Sequence, residues 1–181
     1  RVDRELVTAL LRRGAKADVV NKYGASPLAE ATRVANVELA AILLEAGANA
    51  NVTNDDGQTP LMLAARTGVV PVAKLLIQHG ADVNRRETYR DQSALMWAAA
   101  EGHAEMVELL VAQKAQLDVR AKSTDWESQI STEPRVQYRP TGGLTPLLYA
   151  AREGCVECAR HLIAAGADPD LGDPERITPL V

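Results

Sequence analysis

The chain has 181 residues, 20 basic against 24 acidic side chains, and a formal net charge of −4. The two signs are interspersed, which argues against nucleic acid as a partner, because phosphate binding needs a concentrated basic face. No apolar run is long enough to cross a membrane, no signal peptide is visible, and with no Phe the core must be built from Leu, Val, Ile, Ala and Met.

In chain order, the first predicted element is a helix around 4–13, closed by Gly14. Next comes Ser26-Pro27-Leu28-Ala29-Glu30-Ala31. A hydroxyl residue before Pro reads as a helix start. The hydroxyl accepts from a free N–H of the first turn, and Pro gives up a donor that has no partner there. A second helix with Leu43-Leu44 ends at Gly47, where a left-handed C-cap suits glycine. The same order then returns. Thr59-Pro60-Leu61-Met62-Leu63-Ala64-Ala65 leads to a break at Gly68, to Val72, Leu75 and Leu76 at helical spacing, and to a stop at Gly80. Ser93-Ala94-Leu95-Met96-Trp97-Ala98-Ala99 leads to Gly102, but here Lys114 occupies the stop position, so that turn is expected to be strained or built differently. Thr145-Pro146-Leu147-Leu148-Tyr149-Ala150-Ala151 leads to Gly154 and Gly166, and Thr178-Pro179-Leu180 begins once more.

The starts at 26, 59, 93, 145 and 178 give steps of 33, 34, 52 and 33. A fixed step near 33 is the mark of a repeat solenoid. One helix pair cannot bury both of its apolar faces, and stacked neighbours complete a continuous core. The step of 52 is one period plus about 19 residues, an insertion between the third and fourth copies.

The second halves agree: Leu43-Leu44-Glu45-Ala46-Gly47-Ala48-Asn49 aligns with Leu76-Ile77-Gln78-His79-Gly80-Ala81-Asp82 and Leu162-Ile163-Ala164-Ala165-Gly166-Ala167-Asp168. This paired pattern resembles the ankyrin repeat over the whole chain except roughly 122–142. One departure is shared: the family's usual His after Pro-Leu is replaced by Ala29, Met62, Met96 and Leu148. The resemblance implies an all-α solenoid of stacked helix pairs with β-hairpin or loop fingers and one long finger insertion. The divisions are a partial repeat 1–21, repeats about 22–54, 55–88, 89–121 and 143–173, the insertion 122–142, and the start of a next repeat at 174–181. The chain opens inside a second helix and closes one turn into a first helix, with no polar cap at either end and no initiator Met. It therefore reads as part of a longer array.

The resemblance also implies a protein- or peptide-binding module that works through its concave face. Every Gly, Pro and His has a repeat-level role and no polar constellation is left over, so no catalysis and no cofactor are expected. Two rival readings are a scaffold arm for an enzyme or toxin lying outside this chain, and a structural array that stacks end to end. Similarity to long bacterial ankyrin arrays, many of them exported, favours a periplasmic or secreted home, with a cytoplasmic one open. In ankyrins, fingers and first helices make the concave face. Tyr23 and Tyr89 fall in fingers, Trp97 and Tyr149 share one first-helix position, and Trp126 and Tyr138 lie in the insertion. These six aromatics are the expected partner contacts; the rival reading is that Trp97 and Tyr149 only fill gaps between neighbouring first helices. Arg33, Arg66 and Arg152 share another position, with Ala100 in the third copy, and form a row that either senses anions or meets an acidic partner, or else pairs with carboxylates of adjacent copies such as Glu101 or Glu153, or is simply solvated.

Cys155-Val156-Glu157-Cys158 opens a second helix, and Cys158 aligns with Met106, an inward position. The pair reads either as a buried small side chain beside an unrelated neighbour or as a local disulfide. No second pair exists to complete a zinc site, and His161 beside it is not enough. His103 stands where ankyrins often place a His to tie the inter-helix turn. The insertion is polar and near neutral, and reads either as a tolerated surface excursion or, as its Trp126 favours, as an extended finger that holds a partner or closes over the groove.

Overall fold

A computed structural model describes residues 4–22, 24–123, 142–174 and 176–179. Its helices are α1 (Arg4–Arg12), α2 (Pro27–Arg33), α3 (Val37–Glu45), α4 (Pro60–Thr67), α5 (Val70–Gln78), α6 (Ala94–Ala100), α7 (Ala104–Ala112), α8 (Pro146–Arg152) and α9 (Val156–Ala164). The helices pair as α2/α3, α4/α5, α6/α7 and α8/α9. The first members pack in one row, α2 on α4 on α6 on α8, and the second members in another, α3 on α5 on α7 on α9. The fold is an all-α solenoid.

Each first helix starts where its hydroxyl residue stands. The side chains of Ser26, Thr59, Ser93 and Thr145 accept from the amides of Ala29, Met62, Met96 and Leu148 at 3.1, 3.3, 3.3 and 3.3 Å. All four are buried, so each cap replaces water that cannot reach the helix end and contributes about 1 kcal/mol. Ala64, Ala65, Ala98, Ala99 and Ala150 are fully buried and let α4, α6 and α8 approach closely. Met62 and Met96, at the position that departs from the family pattern, are also fully buried. At one copy the thioether keeps a polar contact, because the Thr59 amide points at Met62 Sδ at 3.4 Å.

The turn at Lys114 is strained rather than rebuilt. Lys114 has φ +62°, the same left-handed region as Gly47, Gly80 and Gly166 at +86°, +82° and +97°. Ala35 is a second case, at φ +55° where Gly68, Gly102 and Gly154 stand in the other copies.

A ladder of side-chain to backbone bonds ties consecutive copies along the outer edge of the turns. Asp18, Asn51, Asn84 and Asp118 accept the amides of Asn49, Asp82, Gln116 and Asp168 at 2.8, 2.7, 2.8 and 3.0 Å. The carboxamides of Asn51 and Asn84 also donate to the carbonyls of Gly80 and Lys114 in the next copy.

The fingers are loops rather than hairpins; among the described residues only isolated antiparallel bridges occur, Arg86 with Ser93 and Ser123 with Gly142. Each loop closes by one amide bonded to a carbonyl further along: Asn21 to Ala25, Asn54 to Gln58, Glu87 to Gln92, Ala121 to Leu144 and Asp173 to Ile177. The closing pairs are thus four residues apart in three fingers, five at Glu87 and 23 at Ala121. The 34-residue step therefore comes from one extra residue in the Glu87 finger, and the 52-residue step from the extra residues between Ala121 and Leu144. The two ends of that stretch are joined by Ser123 and Gly142, and by the Gly143 amide on the Lys122 carbonyl at 3.3 Å.

Candidate functional site

The third and fourth first helices place Trp97 and Tyr149 side by side, and one side chain from the Glu87 finger holds both. Gln92 Oε1 accepts from Trp97 Nε1 at 3.1 Å, while Gln92 Nε2 donates to the Tyr149 hydroxyl at 2.6 Å. The rings are 8% and 6% exposed. They therefore fill the space between neighbouring first helices and the finger, the second of the two readings open in the sequence. What lies outermost is cationic. The Arg66 guanidinium carbon sits 5.1 Å from the Trp97 ring centre, and that of Arg152 lies 5.2 Å from Tyr149. Burial holds the Tyr149 phenol above its ordinary range, opposed by the Gln92 hydrogen bond and by the charges of Arg152 and Arg90.

The finger itself is organised by Glu87, which is 3% exposed. Its carboxyl oxygens accept the amides of Tyr89, Arg90 and Gln92 at 2.6, 2.8 and 3.0 Å. Asn54 performs the same task in the preceding finger, taking the amides of Asp56 and Gln58. The extra residue of the Glu87 loop explains the longer side chain. Tyr89 is pushed out at the tip, 72% exposed, with the Arg90 guanidinium carbon 5.6 Å from its ring centre. The finger is braced from both sides. Thr88 bonds the Asp56 carbonyl through its amide and its hydroxyl, and the Arg90 carbonyl accepts the Lys122 amide. Arg86 bonds the Asp91 carboxylate at 2.6 Å and the Arg120 carbonyl.

The arginine row is uneven. Arg33 pairs with Glu30 of its own helix at 2.6 Å, and Arg152 with its neighbour Glu153 at 3.2 Å, so the row does not pair with carboxylates of adjacent copies. Arg66 has no ion pair among the described residues. Tyr23, Trp126 and Tyr138 lie outside the described residues.

His103 ties the turn of the preceding copy. Its Nε2 lies 3.1 Å from the Arg66 carbonyl, and its ring packs so closely on Gly68 that a Cβ there would stand 2.9 Å from it. The sulfurs of Cys155 and Cys158 lie at bonding distance, 2.10 Å. Cys155 caps α9, its sulfur accepting the Cys158 amide at 3.2 Å, and Cys158 is fully buried. Among the described residues no group of three His, Cys, Asp or Glu side chains converges to hold a metal, and no helix is long and apolar enough to cross a membrane.

Three features of this site have no counterpart in the motif-level reading: Glu87, Gln92 and the Asp/Asn ladder. Two were within reach. Asn21, Asn54 and Glu87 recur at the repeat period, followed at that position by Ala121 and Asp173, and Asp18, Asn51, Asn84 and Asp118 recur likewise. Gln92 offered no such signal, since its partner Tyr149 is 57 residues away.

No curated protein matches the chain significantly. A family model described as ankyrin repeats matches it three times, over residues 2–87, 35–123 and 85–173. Those matches, the paired helix rows and the recurring hydroxyl-Pro-Leu caps agree, and the chain belongs to the ankyrin-repeat family, whose members generally serve as protein-interaction modules.

Proposed function

We propose that the chain binds a protein or peptide on its concave face, across the first helices α4, α6 and α8, with the Glu87 finger as one wall. The observation that carries this is the layered arrangement at the centre of the row. Two buried aromatics locked by Gln92 support Arg66 and Arg152, and the exposed Tyr89 and Arg90 stand beside them. Aromatic and Arg side chains on a rigid support are what interface centres are made of. Arg33, tied to Glu30, would stand at the edge of that surface. In this reading Trp126 and Tyr138 of the insertion 122–142 also contact the partner.

The chain performs no turnover of its own in this reading. Its candidate acid–base groups are engaged structurally, His103 by the Arg66 carbonyl and Glu87 by three loop amides. Panning a random peptide library against the immobilised chain tests the proposal. Selected peptides should lose at least tenfold in affinity on the combined R66A/Y89A/R152A change, in line with the dominance of a few anchors. Peptides that ignore those changes, or the absence of any enriched peptide, would refute it.

A further inference from the structure

We infer that the surface selects an acidic, extended segment, whose carboxylates meet Arg66, Arg90 and Arg152 as the chain passes over Ala100. The inference rests on the proposed reading of this face as the binding surface, and it adds the chemistry of the partner.

Four arginines of the described surface already have a carboxylate: Arg33, Arg86, Arg152 and Arg160. Arg66 and Arg90 do not, although the chain carries an excess of acidic residues. Both are exposed, and both are held over an aromatic ring. A guanidinium over a ring keeps N–H groups available for a carboxylate while its side chain is already ordered, so little rotamer entropy is lost on binding. The ring under Arg66 is itself fixed, by burial and by Gln92. Arg152 shares its charge with Glu153 at 3.2 Å, but both side chains are more than 40% exposed, and a pair of that kind is weak enough to exchange for a partner's carboxylate.

The row also has a gap. The third copy has Ala100, half-buried, where its neighbours have Arg. Packed helices lie about 8–10 Å apart, so Arg66 and Arg152 stand roughly 16–20 Å apart on either side of that gap. About five or six extended residues cover this span. At the centre the row offers the methyl group of Ala100, with a cation at each end.

The test is fluorescence anisotropy with three labelled twelve-residue peptides of identical spacing, in which Gly alternates with paired Glu, paired Gln or paired Lys, plus a twelve-residue oligothymidylate. The Glu peptide is expected to bind at least tenfold more tightly than the Gln peptide, with the Lys peptide weaker still. Raising salt from about 50 to 500 mM should reduce the Glu affinity about tenfold, since exposed charges are screened over these distances. The R66Q/R90Q/R152Q protein should bind Glu and Gln peptides alike. R160Q, on the second-helix row, should leave the preference unchanged. Equal binding of the Glu and Gln peptides by the unaltered chain overturns the inference, and tighter binding of oligothymidylate than of the Glu peptide overturns it in favour of nucleic acid. If library panning yields neutral peptides that still depend on Arg66, Tyr89 and Arg152, the surface stands as a binding face and the acidic preference alone falls.

Discussion

Glu87→Ala is expected to unseat one finger while the helix rows on either side stay folded. The Glu87 carboxyl receives three amide bonds of 2.6, 2.8 and 3.0 Å. Hydrogen bonds to a charged acceptor are worth about 1.5–3 kcal/mol each. Tyr89 and Arg90 are exposed, so on truncation their amides turn to water and recover most of that energy. Gln92 is half-buried, and its side chain must stay in place for Trp97 and Tyr149. The Gln92 amide therefore carries the larger share, and the expected loss is about 2–3 kcal/mol. Urea denaturation at equilibrium measures the total. Hydrogen exchange should localise it to the amides of residues 89–92. Glu87→Asn should cost nearly as much as Ala, because the shorter side chain cannot span a closing distance of five residues. Replacing 87–92 by the five residues of the preceding finger, Asn54 to Gln58, should recover most of the loss. If Glu87→Ala changes stability by less than about 0.5 kcal/mol, the carboxyl does not organise the finger.

Lys114→Gly is expected to stabilise the protein by about 0.5–1 kcal/mol, the relief of a left-handed L-residue less the added freedom of glycine in the unfolded chain, read as a rise in urea midpoint. Trp97→Ala should cost about 3–5 kcal/mol of folding stability, because the ring is buried, and calorimetry or denaturant melts will show it before any binding assay does. Tyr149→Phe should cost about 1 kcal/mol near neutral pH by stranding Gln92 Nε2. The Tyr149 phenol is raised in the fold, so the stability linked to it is intact below the unfolded phenol value near about 10 and is lost as pH rises through that value toward the folded one. The gap between wild type and Tyr149→Phe should therefore narrow in melts taken on the alkaline side. Thiol counting under non-reducing denaturation is expected to find no free thiol in protein kept in oxidising buffer, and the C155S/C158S pair should cost only about 1–2 kcal/mol because the closed loop is short. Two free thiols would retire the bond.

The repeat architecture was legible because its signals are local and recur. A buried hydroxyl before Pro starts a helix wherever it stands, and the left-handed turn at Lys114 could be anticipated from the glycines that replace it in the other copies. For Trp97 and Tyr149 the sequence left two readings open, partner contact or gap filling, and could not choose between them. The choice depends on Gln92, which reaches one ring in its own copy and one in the next. The partners of the arginine row also escaped, because a nearby Glu in the same helix captures Arg33 while the equivalent first-helix position beside Arg66 is Leu63. The single extra residue of the Glu87 finger was visible as a step of 34, but its consequence, a longer capping side chain and a protruding Tyr89, appears only when the closing hydrogen bonds are placed.

The most direct test of the binding face is hydrogen exchange on the full chain with and without a library-selected peptide. Protection is expected at residues 87–100 and in α8, with α5, α7 and the outward side of α9 unchanged. Protection confined to the second-helix row would contradict the assignment of the face.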